Sequence, residues 1–294
     1  MQCGCAGEYM IDLHIHSTAS DGTETPSHLI DLAEDAGLSA IALTDHDTVS
    51  GLEEFLAAGK GRRVRTIPGV EISSWIHSKE VHIVGLFIDP TCPKLVSFLE
   101  NMRNERIARN TGIIRKLQSL GYEITEEEVM IMAKGESIGR PHIARILVSK
   151  GYFEDIQGAF DALLKRGGKA YMARNLQSPA VACSCIHEAG GIAVWAHPVS
   201  GQHSGERSYV KKMLKILIPA GLDGIETFYT TYTPAQSALL DEMMNQFQLL
   251  PSGGSDFHGT NHPNTRLGVG GGGLCVPDSC LEMMETYLEK RKQA

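Results

Sequence analysis

Short apolar runs rich in β-branched residues alternate with amphipathic stretches along this chain, and most of the apolar runs end on polar, ionisable residues. Met10–Leu13 leads into His14-Ile15-His16, and a stretch that starts near Pro26 and stops at Gly37 follows, which predicts a strand and then a helix. The same grammar recurs at Ser39–Thr44 with a helix from about Ser50, at Val64–Ser73 and at Val81–Ile88. After a long interruption it resumes at Gly191–Ala196, Asp223–Phe228 and Leu249–Gly253, with helices between and a last one near Ser279–Lys292. Seven strands result from these runs. Strands alternating with helices predict an α/β fold, a parallel barrel whose active site lies at the C-terminal ends of the strands.

The stretch from about Cys92 to Ser178 breaks this rhythm and reads as helical. Leu95, Phe98, Leu99 and Met102 have helical spacing, as do Ile113, Ile114, Leu117 and Leu120, and Thr125 with Glu128 forms a capping box. Further helices are expected from Pro141 to just before Gly151 and over about Asp155–Lys165. The expected organisation is therefore a barrel half over 1–91, a helical insertion serving as a substrate lid over 92–178, and a second barrel half over 179–294. No internal repeat interrupts it, and the only low-complexity tract is the glycine run Gly270–Gly273.

Composition narrows the picture without changing it. At 294 residues and 42% hydrophobic content, the chain can bury one large core. No stretch approaches the roughly 18 apolar residues that a membrane span needs. The opening Met1-Gln2-Cys3-Gly4-Cys5 has neither a basic region nor an apolar one, so a cytoplasmic chain is expected. Seven cysteines include two Cys-x-Cys pairs, Cys3/Cys5 and Cys183/Cys185, whose spacing differs from that of thiol metal sites, and they are read as bystanders. The formal charge of −8 argues against a surface that coats nucleic acid. It is unevenly spread: fourteen Lys/Arg against ten Asp/Glu between Thr91 and Ser178 give a local +4, which leaves −12 elsewhere. A basic segment beside an acidic barrel can help hold an anion, although a solvated helical surface explains the same excess.

The candidate chemistry sits at the strand ends. Six histidines and three carboxylates, His14, His16, Asp21, His46, Glu71, His82, His197, Asp256 and His258, form a donor set without thiolates, which suits divalent manganese, zinc or iron. His14 and His16 lie two apart on an extended segment, so both can face one ion, as can Asp256 and His258. Glu71 and His82 are polar residues inside apolar strands, costly to bury unless paired or bound to a cation. His82 stands near the start of its strand, an exception to the C-terminal placement of the others. Asp12 is expected to orient a histidine, and Asp45 and Asp47 to support ligands or cap a helix. His28, His77, His187, His203 and His262 lack such placement, and most are expected to be exposed.

Asp12-Leu13-His14, Thr18-Ala19-Ser20-Asp21-Gly22, Thr44-Asp45-His46-Asp47, Pro68-Gly69-Val70-Glu71-Ile72-Ser73, His82-Ile83-Val84-Gly85 and Gly254-Ser255-Asp256-Phe257-His258 resemble the motifs of the PHP (polymerase and histidinol phosphatase) family. The resemblance covers almost the whole chain and is strongest to the branch of 3′,5′-nucleoside bisphosphate phosphatases and 5′–3′ exoribonucleases. It implies a distorted seven-stranded barrel with a helical insertion and two to three divalent ions, manganese first. It further implies one ion held by His14, His16, Glu71 and Asp256, a second by Glu71, His82 and His197, and a third by Asp21, His46 and His258. Gly139-Arg140-Pro141-His142-Ile143-Ala144-Arg145 resembles that branch's substrate-contacting stretch, which makes Arg140, His142 and Arg145 substrate-binding candidates. Independently of the resemblance, Arg140 falls at an expected helix N-terminus, a favourable place for phosphate.

Three ions, three carboxylates and one hydroxide would leave about +2 at such a site, which favours a phosphate dianion over a neutral amide. The expected reaction is phosphoester hydrolysis by metal-activated hydroxide, with Glu71, Asp256 and His258 in the catalytic centre and either a metal-bound water or His142 protonating the leaving oxygen. A small nucleotide or a short RNA is the expected substrate, with no duplex DNA and no membrane as partners. Two other readings stand beside it: a phosphatase for another small phosphomonoester such as histidinol phosphate, and a non-catalytic, metal-stabilised interaction module.

Overall fold

The computed structural model describes residues 10–77, 79–133, 139–173, 176–200 and 207–293, so the Cys3/Cys5 pair and His203 lie outside the described residues. Its strands are β1 (Met10–Ile15), β2 (Ala40–Leu43), β3 (Arg65–Ile76), β4 (Lys79–Leu86), β5 (Ile192–Trp195), β6 (Gly224–Tyr229), β7 (Leu250–Gly254) and β8 (Val276–Pro277). They form one sheet in the order β7-β6-β5-β4-β3-β2-β1-β8. The helices are α1 (Pro26–Asp35), α2 (Leu52–Gly59), α3 (Pro93–Ser119), α4 (Glu126–Ala133), α5 (Arg140–Ser149) and α6 (Ile156–Ala159), then α7 (Pro179–Glu188), α8 (Arg207–Leu217), α9 (Pro234–Phe247) and α10 (Ser279–Gln293). Helix starts follow local chemistry: the Thr25 hydroxyl accepts from the His28 N–H ahead of Pro26, and Thr233 and Gln236 cap α9 reciprocally.

The α/β barrel expected from the sequence is present, with two changes. The first concerns direction, because β4 runs antiparallel to both β3 and β5 while the other neighbours, apart from β8, are parallel. The link between Ile76 and Lys79 explains this, since a parallel return requires a crossover of about a dozen residues and a hairpin requires two. The second is β8, a two-residue strand antiparallel to β1 that was too short to register as an apolar run.

The interior is layered. Ile11 and Leu13 of β1, Ala40 and Ala42 of β2, Ile67 of β3, Val84 and Leu86 of β4 and Ile192 and Val194 of β5 form an apolar floor that Cys280, Leu281 and Met284 of α10 help to close. With a side-chain period of two, the inward positions above this floor are Gly69 and then Glu71 on β3, and His82 on β4. On β1 a register shift between Asp12 and Ile15 moves the inward set from Ile11 and Leu13 to His14 and His16. The barrel closes where β1 meets the chain leaving β7, through Asp256 N–H to His14 O at 2.9 Å and His16 N–H to Phe257 O at 2.9 Å. Gly254 permits that approach, as a Cβ there would lie 2.4 Å from the Cβ of His14.

The chain divides into two compact units, Met1–Phe98 with Gln177–Ala294 and Leu99–Leu176. The second has a core of its own in which Ile113, Ile114 and Leu117 of α3 pack with Val129, Ile143, Ile146, Leu147, Leu163 and Leu164, and a π-helical turn over Phe160–Leu164 continues α6. Among the described residues no helix is long and apolar enough to cross a membrane. Cys183 and Cys185 are buried free thiols on α7, Cys280 is a buried and Cys92 a half-buried free thiol, and Cys275 is disulfide-bonded.

Candidate metal centre

The nine residues singled out in the sequence converge on one rim of the barrel. Glu71 is at their centre, fully buried, with Oε2 at 2.8 Å from His46 Nδ1 and 3.4 Å from Nε2 of both His14 and His16. Its Oε1 lies 2.9 Å from His82 Nδ1 and 3.0 Å from His197 Nε2. Asp256 Oδ1 stands 3.5 Å from His14 Nε2 and 3.1 Å from His16 Nε2, while Asp21 Oδ1 is 3.3 Å from His258 Nε2 and its Oδ2 is 3.7 Å from His46 Nε2. The exception noted for His82 disappears with the direction of β4. Because that strand runs antiparallel, its N-terminal half lies at the rim, and His82 pairs with Ser73 near the upper part of β3.

Several atoms of this cluster are left without partners by the protein itself. His14 Nε2, both ring nitrogens of His16 and Glu71 Oε2 are buried and make no hydrogen bond. Such orphans are unfavourable in a folded interior unless something else satisfies them. Nitrogen and oxygen ligands at about 2.0–2.2 Å from a divalent ion are separated by roughly 3.0–3.5 Å along the edges of an octahedron or tetrahedron. The spacings of 3.1–3.5 Å among His14, His16, Glu71 and Asp256 fall in that range. The donor set therefore fits divalent cations. Three groups can hold one: His14, His16 and Asp256; His16, Asp21, His46 and His258; and His46, Glu71 and His82. The partition differs from the expected one: His16 and His46 each belong to two groups, Glu71 to one, and His197 to none of the three.

The electrostatics run in the same direction. Burial drives His16 down to about 3, with the positive partners His258 and His46 adding to it, so its ring is neutral with a lone pair available. Burial opposes the ionised form of Glu71, yet His46, His82 and His14 outweigh it and hold the carboxyl well below its ordinary value. For His258, burial is likewise overcome by Asp21 and Asp256, which raise it to about 9. Three of the six described non-glycine residues with positive φ belong to the site: His197 and Asp256 have φ of 31° and 55°, and Asp47 beside His46 has 54°.

Supporting residues differ from expectation at several points. Asp12 does not orient an imidazole. Its carboxylate accepts backbone N–H groups from Ser255 at 2.9 Å, Gly268 at 2.8 Å and His14 at 3.3 Å, tying strand ends together, and burial pushes it up to about 6. Glu226 takes the orienting place, with Oε1 accepting from His14 Nδ1 at 2.8 Å and Oε2 from the His197 N–H at 2.6 Å. Tyr229 donates its hydroxyl to Asp256 Oδ2 at 2.7 Å, leaving Oδ1 toward the histidines. Asp45 accepts from Ser17 and Ser20, and Asp47 from Ser73, so both fasten the loops that carry His16 and His46. Of the remaining histidines, His28 and His262 are exposed, whereas His187 is half-buried and paired with Asp223 at 2.7 Å.

Arg140, His142 and Arg145 belong to the second unit. His142 is buried, and its Nδ1 accepts from the Gly139 N–H at 3.1 Å, capping α5. Arg140 donates from Nη1 to Leu164 O at 3.2 Å and lies over the Phe160 ring at 5.8 Å. Arg145 is partly exposed on the same helix.

The PHP domain profile matches residues 12–178. This chain belongs to the PHP family. The matched stretch contains His14, His16, Asp21, His46, Glu71 and His82, with His197, Asp256 and His258 following it. Over 84% of its length this PHP chain is 36% identical to a 5′–3′ exoribonuclease from Haemophilus influenzae, covering 89% of that protein. It is 35% identical to a 3′,5′-nucleoside bisphosphate phosphatase from Chromobacterium violaceum, again over 84% of this chain and 87% of the relative. Among solved structures, a candidate metal-dependent phosphoesterase from Bifidobacterium adolescentis superposes with a TM-score of 0.80 at 30% identity, covering 95% of this chain and 96% of the other.

Proposed function

We propose that this chain is a metal-dependent phosphoesterase that hydrolyses a phosphate ester of a nucleoside 3′,5′-bisphosphate or of the 5′ end of a short RNA, with manganese as its preferred ion and zinc or iron as alternatives. The observation that carries this reading is the convergence of five imidazoles on the two oxygens of Glu71, with the buried His14, His16 and Glu71 atoms left unpartnered. Divalent ions held by these nine residues supply Lewis-acid polarisation of the phosphoryl oxygens and lower the pKa of water. Glu71 is placed to be shared between ions, its two oxygens facing different sets of histidines. Asp256, oriented by Tyr229, and His258 complete the donor set.

A cavity of ≈ 470 Å³ opens beside His82 and His197 and is lined also by Lys79, Trp195, Ser200 and Tyr209. Its size suits a small ligand; Glu80 lines it beside Lys79, whose ammonium sits 4.6 Å from the centre of the Tyr209 ring. Arg140 and Arg145 are the proposed contacts for a second phosphate, and either a metal-bound water or His142 is the proposed proton donor to the leaving oxygen. Loss of the preference for bisphosphate over monophosphate in Arg140→Ala tests that assignment.

The deciding comparison measures phosphate release from adenosine 3′,5′-bisphosphate and nucleotide release from a 5′-phosphorylated oligoribonucleotide side by side, with Mn²⁺. Glu71→Ala is expected to lower both by more than about a hundredfold, beyond the 10–100-fold typical of residues that only support a ligand. Unchanged turnover in a folded Glu71→Ala variant would refute the reading, and turnover confined to histidinol phosphate would move the substrate assignment to a small phosphomonoester.

A further inference from the structure

We propose that Glu226 is a positioning residue that fixes which nitrogen of His14 carries hydrogen, and so makes the cation position of His14, His16, Glu71 and Asp256 competent to load. The inference rests on the metal-centre reading above and extends it to a residue outside the ligand set. Glu226 lies on β6 and is 1% exposed. A register shift between Glu226 and Phe228 against β7 turns this segment of β6, a local device that re-aims side chains. Both carboxylate oxygens are in use, Oε1 at 2.8 Å from His14 Nδ1 and Oε2 at 2.6 Å from the His197 N–H.

Donor and acceptor roles are forced by this arrangement. A backbone N–H can only donate and an ionised carboxylate can only accept, so His197 fixes one oxygen and the other must receive a hydrogen from His14 Nδ1. A neutral His14 with its hydrogen on Nδ1 presents a lone pair at Nε2. That nitrogen is the one 3.4 Å from Glu71 Oε2 and 3.5 Å from Asp256 Oδ1, and it has no hydrogen-bond partner in the protein. The same carboxylate also holds the N–H of His197, whose φ of 31° needs restraint. One buried side chain thus sets the ring of His14 and the backbone of His197.

The isosteric variant Glu226→Gln inverts this logic. Its carbonyl oxygen must face the His197 N–H, which turns the amide NH₂ toward His14 Nδ1 and drives the hydrogen to Nε2, where a ligand needs a lone pair. The opposite amide orientation sets donor against donor at His197. The first orientation impairs His14 and the second the His197 N–H; the first is favoured because the backbone N–H cannot change its role whereas the imidazole can move its hydrogen, and the volume of the side chain is conserved in both.

The test is ion content and affinity by elemental analysis after equilibration with Mn²⁺, together with the ¹⁵N shifts of the metal-free His14 ring at an alkaline pH that leaves the ring neutral, since the carboxylates around it raise His14 well above its ordinary value. Glu226→Gln is expected to hold one ion fewer than the wild-type chain at limiting Mn²⁺, to bind it about 10- to 100-fold more weakly, and to show the hydrogen moved from Nδ1 to Nε2. As a second variant, Glu226→Ala should regain binding with added formate, which accepts two hydrogen bonds, and not with formamide. Wild-type ion content and affinity in Glu226→Gln, or equal rescue by formamide, would overturn the proposal. A wild-type chain that binds no divalent ion would overturn the metal-centre reading along with it.

Discussion

The His14 imidazole is useful because Glu226 holds its Nδ1 while Nε2 is left without a partner. Asp256 shows the carboxylate version, with Tyr229 holding Oδ2 at 2.7 Å and Oδ1 turned to His16 at 3.1 Å. Removing only that hydroxyl, in Tyr229→Phe, is expected to weaken Mn²⁺ binding by about 10- to 100-fold without changing the fold, measured by Mn²⁺ titration of the purified chain. The nine ligand candidates were legible in the sequence because histidines and carboxylates following apolar runs have few inexpensive alternatives. Glu226 and Tyr229 were not singled out. Yet Glu226 carried the same signal as Glu71, a carboxylate inside an apolar strand, in Gly224-Ile225-Glu226-Thr227-Phe228. Asp12 was misassigned because a side chain two residues from a histidine can turn to backbone N–H groups instead, and spacing does not distinguish the two.

Hydrophobic periodicity located the seven longer strands and most helix starts, since each buries a continuous apolar run or opens on Thr or Pro. It did not give direction. The reversal of β4 depends on a link too short for a crossover, and β8 depends on pairing with β1 that two residues cannot announce. Between elements, one carboxylate is a tie: Asp223 accepts from Ala193 N–H at 2.8 Å, Tyr287 Oη at 2.6 Å and His187 Nε2 at 2.7 Å, joining α7, β5 and α10 at the entry to β6. Burial opposes its ionisation, but His187, Tyr287 and the Ala193 N–H outweigh it and keep its carboxyl below its ordinary value. A depressed folded pKa gives stability that is full above the unfolded value and is lost as pH falls through the folded one. Asp223→Asn is therefore expected to cost about 1–3 kcal/mol near neutrality. Urea unfolding of the metal-free chain should show that deficit shrinking below about pH 4.

At the scale of the whole chain, the centre leaves buried donor atoms that the protein does not satisfy by itself. The imidazoles around Glu71 pack ring against ring, but the orphan nitrogens of His14 and His16 are unfavourable in the metal-free barrel. Saturating Mn²⁺ at a hundred times its dissociation constant should add about 2.7 kcal/mol per independent site, seen as a rise in melting temperature that EDTA reverses. An unchanged melting point with and without chelator would count against occupancy of these sites. The closure of the barrel gives that stabilisation a location. The first and last staves meet along a thin seam, bare backbone beside Gly254, with His14 and His16 on one edge and Asp256 on the other. A cation gripped from both edges acts as a rivet through that seam, so chelation should be felt there before anywhere else. Amide exchange at His16 and Asp256 is expected to quicken on chelation while the floor at Val84 and Val194 stays protected, as in a cask whose hoop is loosened at one joint.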